Sequence, residues 1–433
     1  MNTLNRAGLS RRNIAGTLAC LLAALALPQT HAQVAVKADL IYTMAGPPVD
    51  NGVIVIRDGK IAAIGPADTT PIPDGYRVLT GRIATPGLID SRSTLGLTGI
   101  YNQRHDQDML EHSAPIQPQL RAIDAYNPLE PLIEWIRSFG ITTVHTGHGP
   151  GELISGQTTV VKLRGKTIAE CVLVECAAVA ATLDPSAQKD GGKSPGTRAK
   201  MMAMLRQELI KAREYSEKRA KAASKDAAEA DSDKEKDEKG GRSGKGGRDL
   251  SLEVLERVLK GELPLLVTAN HAQDIANALR LAEEFRLKLW LDSGAEAYLM
   301  LKELKKAGVP VFVHPTMARA FGTMKNMTFG NAALLRQAGI PVVFTSGYED
   351  YVPKVRVVLF EAALAGEQGL ALEQTLAMLT IDAAKLLGVD KRVGSLEVGK
   401  DGDVALYDGN PFEYTSHCIG TVIEGEVVWE GKR

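Results

Sequence analysis

The chain has 433 residues, of which 44% are hydrophobic and 24% charged, and its formal net charge is -1. That length holds a large barrel plus a smaller domain rather than one small core, and the near-zero charge excludes a global field aimed at nucleic acid or an anionic membrane. The four cysteines, Cys20, Cys171, Cys176 and Cys418, lack any Cys-x-x-Cys spacing, so neither a zinc ribbon nor a disulfide framework is signalled.

The N-terminus reads as an address. Arg6, Arg11 and Arg12 precede an apolar run over residues 14–28, and Thr30-His31-Ala32 offers small residues for cleavage before Gln33. This is the layout of a secretory signal over residues 1–32. The run is shorter than the ~20 residues a spanning helix needs, so no membrane span is expected in the mature form. Ser10-Arg11-Arg12-Asn13-Ile14 partly matches a twin-arginine signal, with Ala15 and Gly16 departing from it. The expected location is the periplasm, or outside the cell.

Short strands follow over residues 36–44, 52–57 and 60–64, punctuated by Gly46-Pro47-Pro48, Asp58-Gly59 and Gly65-Pro66. Asp-Gly between alternating apolar runs is a hairpin signal. A second β-rich segment closes the chain, over residues 394–407 and around Glu424-Gly425. Neither end has enough apolar residues for its own core, so residues 33–82 and 393–433 are expected to form one small β-sandwich. The barrel is inserted between them.

Residues 83–392 alternate β-branched runs with helical periods, as parallel βα units require. Strands are expected at 83–89, 142–146, 172–176, 265–269, 288–291, 311–314 and 342–345, with 158–163 either a barrel strand or part of an excursion. Helices are expected at 131–139, 274–285, 296–306, 331–338 and 375–387. The fold class is therefore α/β, a TIM-like (β/α)8 barrel carrying a small β-sandwich built from both chain ends. Residues 188–248 form a charged insertion, helical from about 200 to 225 and then too polar to bury a core; residues 227–248 read as a mobile surface loop.

Pro86-Gly87-Leu88-Ile89-Asp90, just before the polar Ser91-Arg92-Ser93-Thr94, resembles the first barrel strand of the amidohydrolase superfamily, in its imidazolonepropionase-like, composite-domain branch. That strand typically reads Pro-Gly-x-Ile-Asp-x-His-x-His. The segments from Gly394 to Asp403 and from Thr421 to Val428 resemble the closing strands of the same family, with Gly402 where an alanine is usual. The resemblance implies a divalent, zinc-like metal held by two histidines after strand one, one each after strands five and six, and an aspartate after strand eight. In this chain Arg92 and Thr94 stand at the first pair, His271 keeps the strand-five position, Asp292 and Ser293 follow strand six, and Gly347 or Ser346 follows strand eight. An arginine keeps its proton and cannot ligate.

His271 is thus the one clearly retained metal-ligand position, with His145 and His314 as alternatives in a relocated site beside Asp292. Arg92, His145, Asp292 and Ser346 are the candidate substrate contacts, and the Arg92 guanidinium is expected to fill the metal's place, meeting a ligand carboxylate or Asp292. His105, Asp106, Asp108 and His112 lie in a long loop after strand one that lines a pocket; Glu349-Asp350 after strand eight is a solvated pair. The segment from Gly147 to Gly156 lacks the ending of a phosphate loop. The residues do not name the catalytic groups. The expectation is an exported amidohydrolase-like protein that hydrolyses carbon–nitrogen bonds of a small amide or cyclic amide through an altered metal site. The alternative is an inactive barrel serving as a binding or structural subunit. Family members are commonly oligomeric, which makes a homo-oligomer the expected assembly.

Overall fold

The computed structural model describes residues 33–232, 248–314, 320, 322–348 and 353–431. The expected signal (1–32), most of the charged loop (233–247) and the Glu349-Asp350 pair lie outside the described residues.

β1 (Val34–Ile41) pairs antiparallel with β2 (Val49–Arg57), which turns into β3 (Lys60–Pro66). Asp58 and Gly59 make that turn at positive φ, as a two-residue hairpin of this chemistry should. β4 (Arg77–Pro86) lies parallel to β1 and passes through Gly87 into β5 (Leu88–Ser93), the first barrel strand. A Cβ at Gly87 would stand 2.2 Å from Thr142 Oγ1 and 2.3 Å from its methyl, so only glycine lets the chain cross from sheet to barrel there.

β6 (Ile141–Gly147), β7 (Ile154–Lys162), β9 (Val179–Thr182), β10 (Leu265–Ala269), β11 (Leu289–Ser293), β12 (Val311–Val313) and β13 (Val342–Phe344) follow β5 in that order around the barrel. Every neighbouring pair is parallel except those of β7, which runs antiparallel to both β6 and β9. The expected strand at 172–176 is instead β8 (Val172–Val174), which pairs only with β7 and stays off the barrel. The fourth barrel strand is β9, whose Val-Ala-Ala-Thr has too little β-branched character to stand out. The run at 158–163 does belong to the barrel.

Strand alternation sorts the core. Leu265, Val267, Leu289, Leu291, Val311, Val313, Val342 and Phe344 join the helices outside. Leu266, Trp290, Phe312 and Val343 form a separate cluster inside, with Ile89 and Val160. Two residues further along, the next inward positions are Thr268, Asp292, His314 and Thr345, a polar layer at the C-terminal ends of the parallel strands. Helices Pro131–Arg137, Ala272–Phe285 and Asn331–Gln337 lie where the periodicity puts them. The expected helix over 375–387 is two, Leu372–Met378 and Ile381–Leu386. Helix Arg198–Ser232 extends past residue 225, into the part expected to be loop, and buries Met201, Met202, Leu205 and Leu209 near its start.

β14 (Val404–Tyr407), β15 (Cys418–Ile423) and β16 (Glu426–Glu430) return to the first sheet, giving one seven-stranded sheet in the order β16-β15-β14-β4-β1-β2-β3. The two chain ends thus share one hydrogen-bonded unit with its own apolar cluster, including Val36, Ile54, Leu79, Val404 and Val422.

An ion cluster joins this sheet to the barrel. Lys162, at the end of β7, is 1% exposed. Its ammonium lies 2.5 Å from Asp401 Oδ2, 2.9 Å from Asp403 Oδ2 and 2.9 Å from Glu424 Oε1. Lys60, Arg392 and Arg164 meet the same carboxylates from the rim. Burial works against the Lys162 charge, but Asp403, Asp401 and Glu424 outweigh it and raise its pKa. Burial likewise works against Asp401, yet the surrounding cations hold it at about 2. Removing one member leaves the others buried and unpaired, so Lys162→Met should lower the unfolding free energy in urea by about 3–5 kcal/mol. The half-exposed Lys60→Met should cost less than about 1 kcal/mol. Equal small losses would show that apolar packing alone holds the seam.

Candidate active site at the barrel mouth

The C-terminal ends of the parallel barrel strands bring together Asp90 and Arg92 from β5, His145 from β6 and His148 just after it, Thr268 from β10, Asp292 from β11, and Ser346 and Tyr348 after β13. This is the end of such a barrel where function gathers.

Asp90 clasps the first barrel strand to the last. Its Oδ1 accepts from the backbone N–H of Ser346 at 3.1 Å and of Arg92 at 3.2 Å, and its Oδ2 accepts from the Ser346 hydroxyl. Ser346, expected as a substrate contact, therefore has its hydroxyl committed to this closure. Burial outweighs these donors and raises the Asp90 pKa to about 7.

Arg92 is 1% exposed. One terminal nitrogen donates to Ser93 O at 3.1 Å, the other donates to His148 O, and the guanidinium lies 5.1 Å from the centre of the Tyr348 ring. Its Nε–H has no hydrogen-bond partner among the described residues. No ion pair to Arg92 is present among them either. The expected contact with Asp292 is not direct, because Tyr348 stands between. The Tyr348 hydroxyl donates to Asp292 Oδ2 at 2.6 Å, and Thr268 donates to the same oxygen at 2.7 Å. Asp292 Oδ1 is buried and unpartnered among the described residues. Tyr348 carries no sequence signal beyond its place two residues after Ser346.

The histidines divide. His145 Nδ1–H donates to Ser91 O at 2.7 Å, and its Nε2 lies 2.7 Å from the Thr158 hydroxyl. Its ring packs against Trp290 and Phe312 inside the barrel. Burial, with the Arg92 charge adding to it, lowers its pKa to about 3 and keeps it neutral. Both nitrogens are engaged, which leaves no lone pair for a metal. His148 is 5% exposed with both ring nitrogens unpartnered among the described residues, and the same two causes lower its pKa to about 4. His271 caps the start of the helix Ala272–Phe285, and its Nδ1 lies 3.2 Å from Glu296, which also accepts from Asn326 and from Ala272 N. His314 lies 3.5 Å from Glu361 and is packed onto Gly347, where a Cβ would stand 1.9 Å from the His314 ring. An aspartate at 347 would not fit this arrangement. His112, in the loop after β5, reaches the buried Glu152 at 2.9 Å, and Lys189 pairs with the same carboxylate. His105 is mostly exposed.

A divalent metal of the kind the resemblance implies needs several imidazole or carboxylate donors around one point. The described residues contain no group of three or more His, Cys, Asp or Glu side chains so arranged. At the strand-one position a guanidinium is seated instead, which would repel a divalent ion. The described residues do not bring such a donor set together.

A barrel entered from, and closed back onto, a sheet made by both chain ends defines a composite barrel protein. The sequence pattern of the amidohydrolase family matches residues 80–429, and the chain belongs to that family. Amidohydrolase tasK of Hapsidospora irregularis is 22% identical over 397 residues, covering 87% of this chain and 39% of that protein. Imidazolonepropionase of Shewanella sp. (strain MR-4) is 29% identical over 190 residues, covering 42% of this chain and 45% of that protein. The matches thus span less than half the length of these curated relatives. Among solved structures, an amidohydrolase from Thermotoga maritima MSB8 superposes with a TM-score of 0.81 at 25% identity, covering 92% of this chain and 100% of that one. An adenosine deaminase from Xanthomonas campestris with bound zinc shares the fold, at a TM-score of 0.50, 14% identity and 92% coverage of both chains. Members of the family typically use divalent metals.

The clasp makes a pH prediction. The folded Asp90 pKa of about 7 lies above that of an unfolded aspartate, about 3.9. The native state therefore binds a proton that the unfolded state releases between these values. Asp90 contributes most below about pH 4, and its contribution falls as pH rises through about 7. Urea unfolding of wild type and Asp90→Asn should give a stability difference, wild type minus variant, that shrinks with rising pH across this window. A difference that grows would mean the clasp holds the ionised form.

Proposed function

We propose that this protein is an exported hydrolase of carbon–nitrogen bonds other than peptide bonds, acting on a small amide or cyclic amide at a barrel mouth that works without the usual metal. Family membership over residues 80–429 carries the reaction class. The altered site is supported by Arg92, buried where the first metal histidine is expected.

In this reading Asp292 is the proton acceptor. Thr268 and Tyr348 hold its Oδ2 and fix the carboxylate plane, leaving Oδ1 for the water that attacks the amide carbon. The proton taken there passes to the leaving nitrogen as the C–N bond breaks, so that acid and amine form together. A positioned carboxylate contributes about 10²–10⁴-fold to such a step. Export is supported by the N-terminal signal in the sequence. Among the described residues no helix is long and apolar enough to cross a membrane.

The second reading, a barrel that binds its ligand without turnover, is favoured by the same Arg92, since the replaced donors are those the metal-dependent reaction needs. Turnover of a panel of linear and cyclic amides separates the two. Activity should survive a chelator in protein containing substoichiometric metal, and Asp292→Asn should lower kcat by at least about 100-fold. Stoichiometric metal with chelator-sensitive turnover would sink the altered site, and no turnover on any amide would leave the second reading. N-terminal sequencing of periplasmic protein should begin at Gln33; a chain still starting at Met1 would overturn export.

A further inference from the structure

Beside the mouth lies a cavity that the proposed reaction does not use. It holds about 320 Å3 between the loop after β5 and the end of β6, with Asp108, Glu111, Gln119, Leu120, Arg121 and His148 among its lining residues. His148 is 5% exposed, and neither ring nitrogen has a hydrogen-bond partner among the described residues. The ring meets the cavity next to Leu120: a Cβ on Gly156 would stand 2.3 Å from its Cδ2 and 2.9 Å from Leu120 O. The nearby Met109 carbonyl takes the Gly149 N–H at 2.8 Å, and burial with the Arg92 charge outweighs its pull on the ring, which stays neutral. A neutral imidazole has one N–H and one lone pair to satisfy. Leaving both unmet in the interior costs free energy that a ligand would recover.

The charges around the ring select the ligand. Arg121 is spent on Asp124, its Nε–H and one terminal N–H donating to the two carboxylate oxygens at 2.8 and 2.6 Å. Asp108 and Glu111 have no ion pair among the described residues, since the neighbouring His105 and His112 turn to Asp106 and Glu152. An anion would meet these two carboxylates unscreened. A divalent metal needs several imidazole or carboxylate donors around one point, which the described residues do not bring together. An ammonium is suited to both conditions, since it carries a positive charge and donates in three directions without a fixed coordination geometry. We propose that this cavity binds a small organic ammonium ion, a primary amine whose N–H groups are accepted by the unprotonated ring nitrogen of His148 and by Asp108 and Glu111. The volume lies at the lower end for ligand pockets, so the body of the amine is a short chain. The site stands apart from the amide reaction, and its occupant bears on the residue whose backbone carbonyl accepts from Arg92.

The probes are propylammonium and 1,4-diaminobutane, set against the neutral 1-propanol and 1,4-butanediol and the anion propionate. Proton–nitrogen NMR of the histidine rings in the purified protein, at fixed pH and salt, reads the site directly. The His148 signals are assigned through their contacts with Gly156. Both amines should move these signals saturably, with affinities at least about tenfold above those of the alcohols. Propionate should leave them in place. Calorimetry on Asp108→Asn/Glu111→Gln, a change at two exposed positions, should show amine affinity lowered at least about tenfold. His148→Gln, which keeps an acceptor, should keep part of the affinity. Ring signals that neither amine moves would leave the cavity to water and overturn the proposal. Equal shifts with the alcohols, or amine binding undiminished in the double variant, would overturn it too. The double variant decides the point even where His148→Gln fails to fold. Turnover plays no part in the readout, so failure here leaves the hydrolase reading standing.

Discussion

Lys162 brings an ammonium to a seam from which water is excluded, and three carboxylates converge on it from a segment more than two hundred residues later in the chain. The geometry ties together three things the backbone alone leaves separate: the reversed strand β7, the stretch before β14, and the β15–β16 turn that carries Glu424. Hydrophobic contact across the seam is non-directional and would tolerate sliding. A charge that must meet three carboxylates at hydrogen-bond distance does not. The cluster therefore sets the register between the two halves of the molecule, and Asp401 and Asp403 of the closing motif are accounted for by it without any role in chemistry.

A second pair of constraints then fixes the mouth. Gly87 lets β4 run straight into β5 against Thr142, so the strand that ends the terminal sheet also begins the barrel. Asp90, three residues later, reaches across to Ser346 after the last strand, where β13 and β5 share no registered ladder among the described pairings. Entry and closure are thus encoded within Pro86-Gly87-Leu88-Ile89-Asp90. Its glycine answers to packing and its aspartate to a gap in the sheet. That motif can remain intact while the ligand positions beyond it change, because the two serve different physical needs.

The same division explains what was legible in the sequence. Strands β10 to β13 announce themselves because four alternating apolar runs each have an outward and an inward face, and the hairpin at Asp58-Gly59 because its turn demands positive φ. β9 was hidden because two alanines at its centre carry no strand preference, and β8 attracted the assignment instead because it is all β-branched or leucine. At the mouth, spacing could mark Arg92 and Asp292 as residues out of place, but not the phenol between them. The pairing of Tyr348 with both depends on where a loop lands after β13, which no local pattern records. His145 shows the converse: a histidine at a strand end looks like a ligand until its neighbours across the barrel, Trp290, Phe312 and Thr158, are known.

The charge balance of the mouth explains why these replacements occur together. A divalent ion would allow several imidazoles and carboxylates to crowd one point, since each donor offsets part of its charge. With a guanidinium there instead, the local charge is a single positive one on a fixed planar fork, and donors that could only repel or strand themselves beside it are no longer favoured. His145 and His148 are accordingly held neutral by burial and by the same arginine. Gly347, one of the two candidates for the strand-eight position, is seated under the His314 ring, where an aspartate would collide. Asp292 keeps one oxygen for Thr268 and Tyr348 and leaves the other without a partner among the described residues. Among the described residues the mouth therefore sets one unmet acceptor beside one fixed cation, and the cation has no lone pair to give a metal.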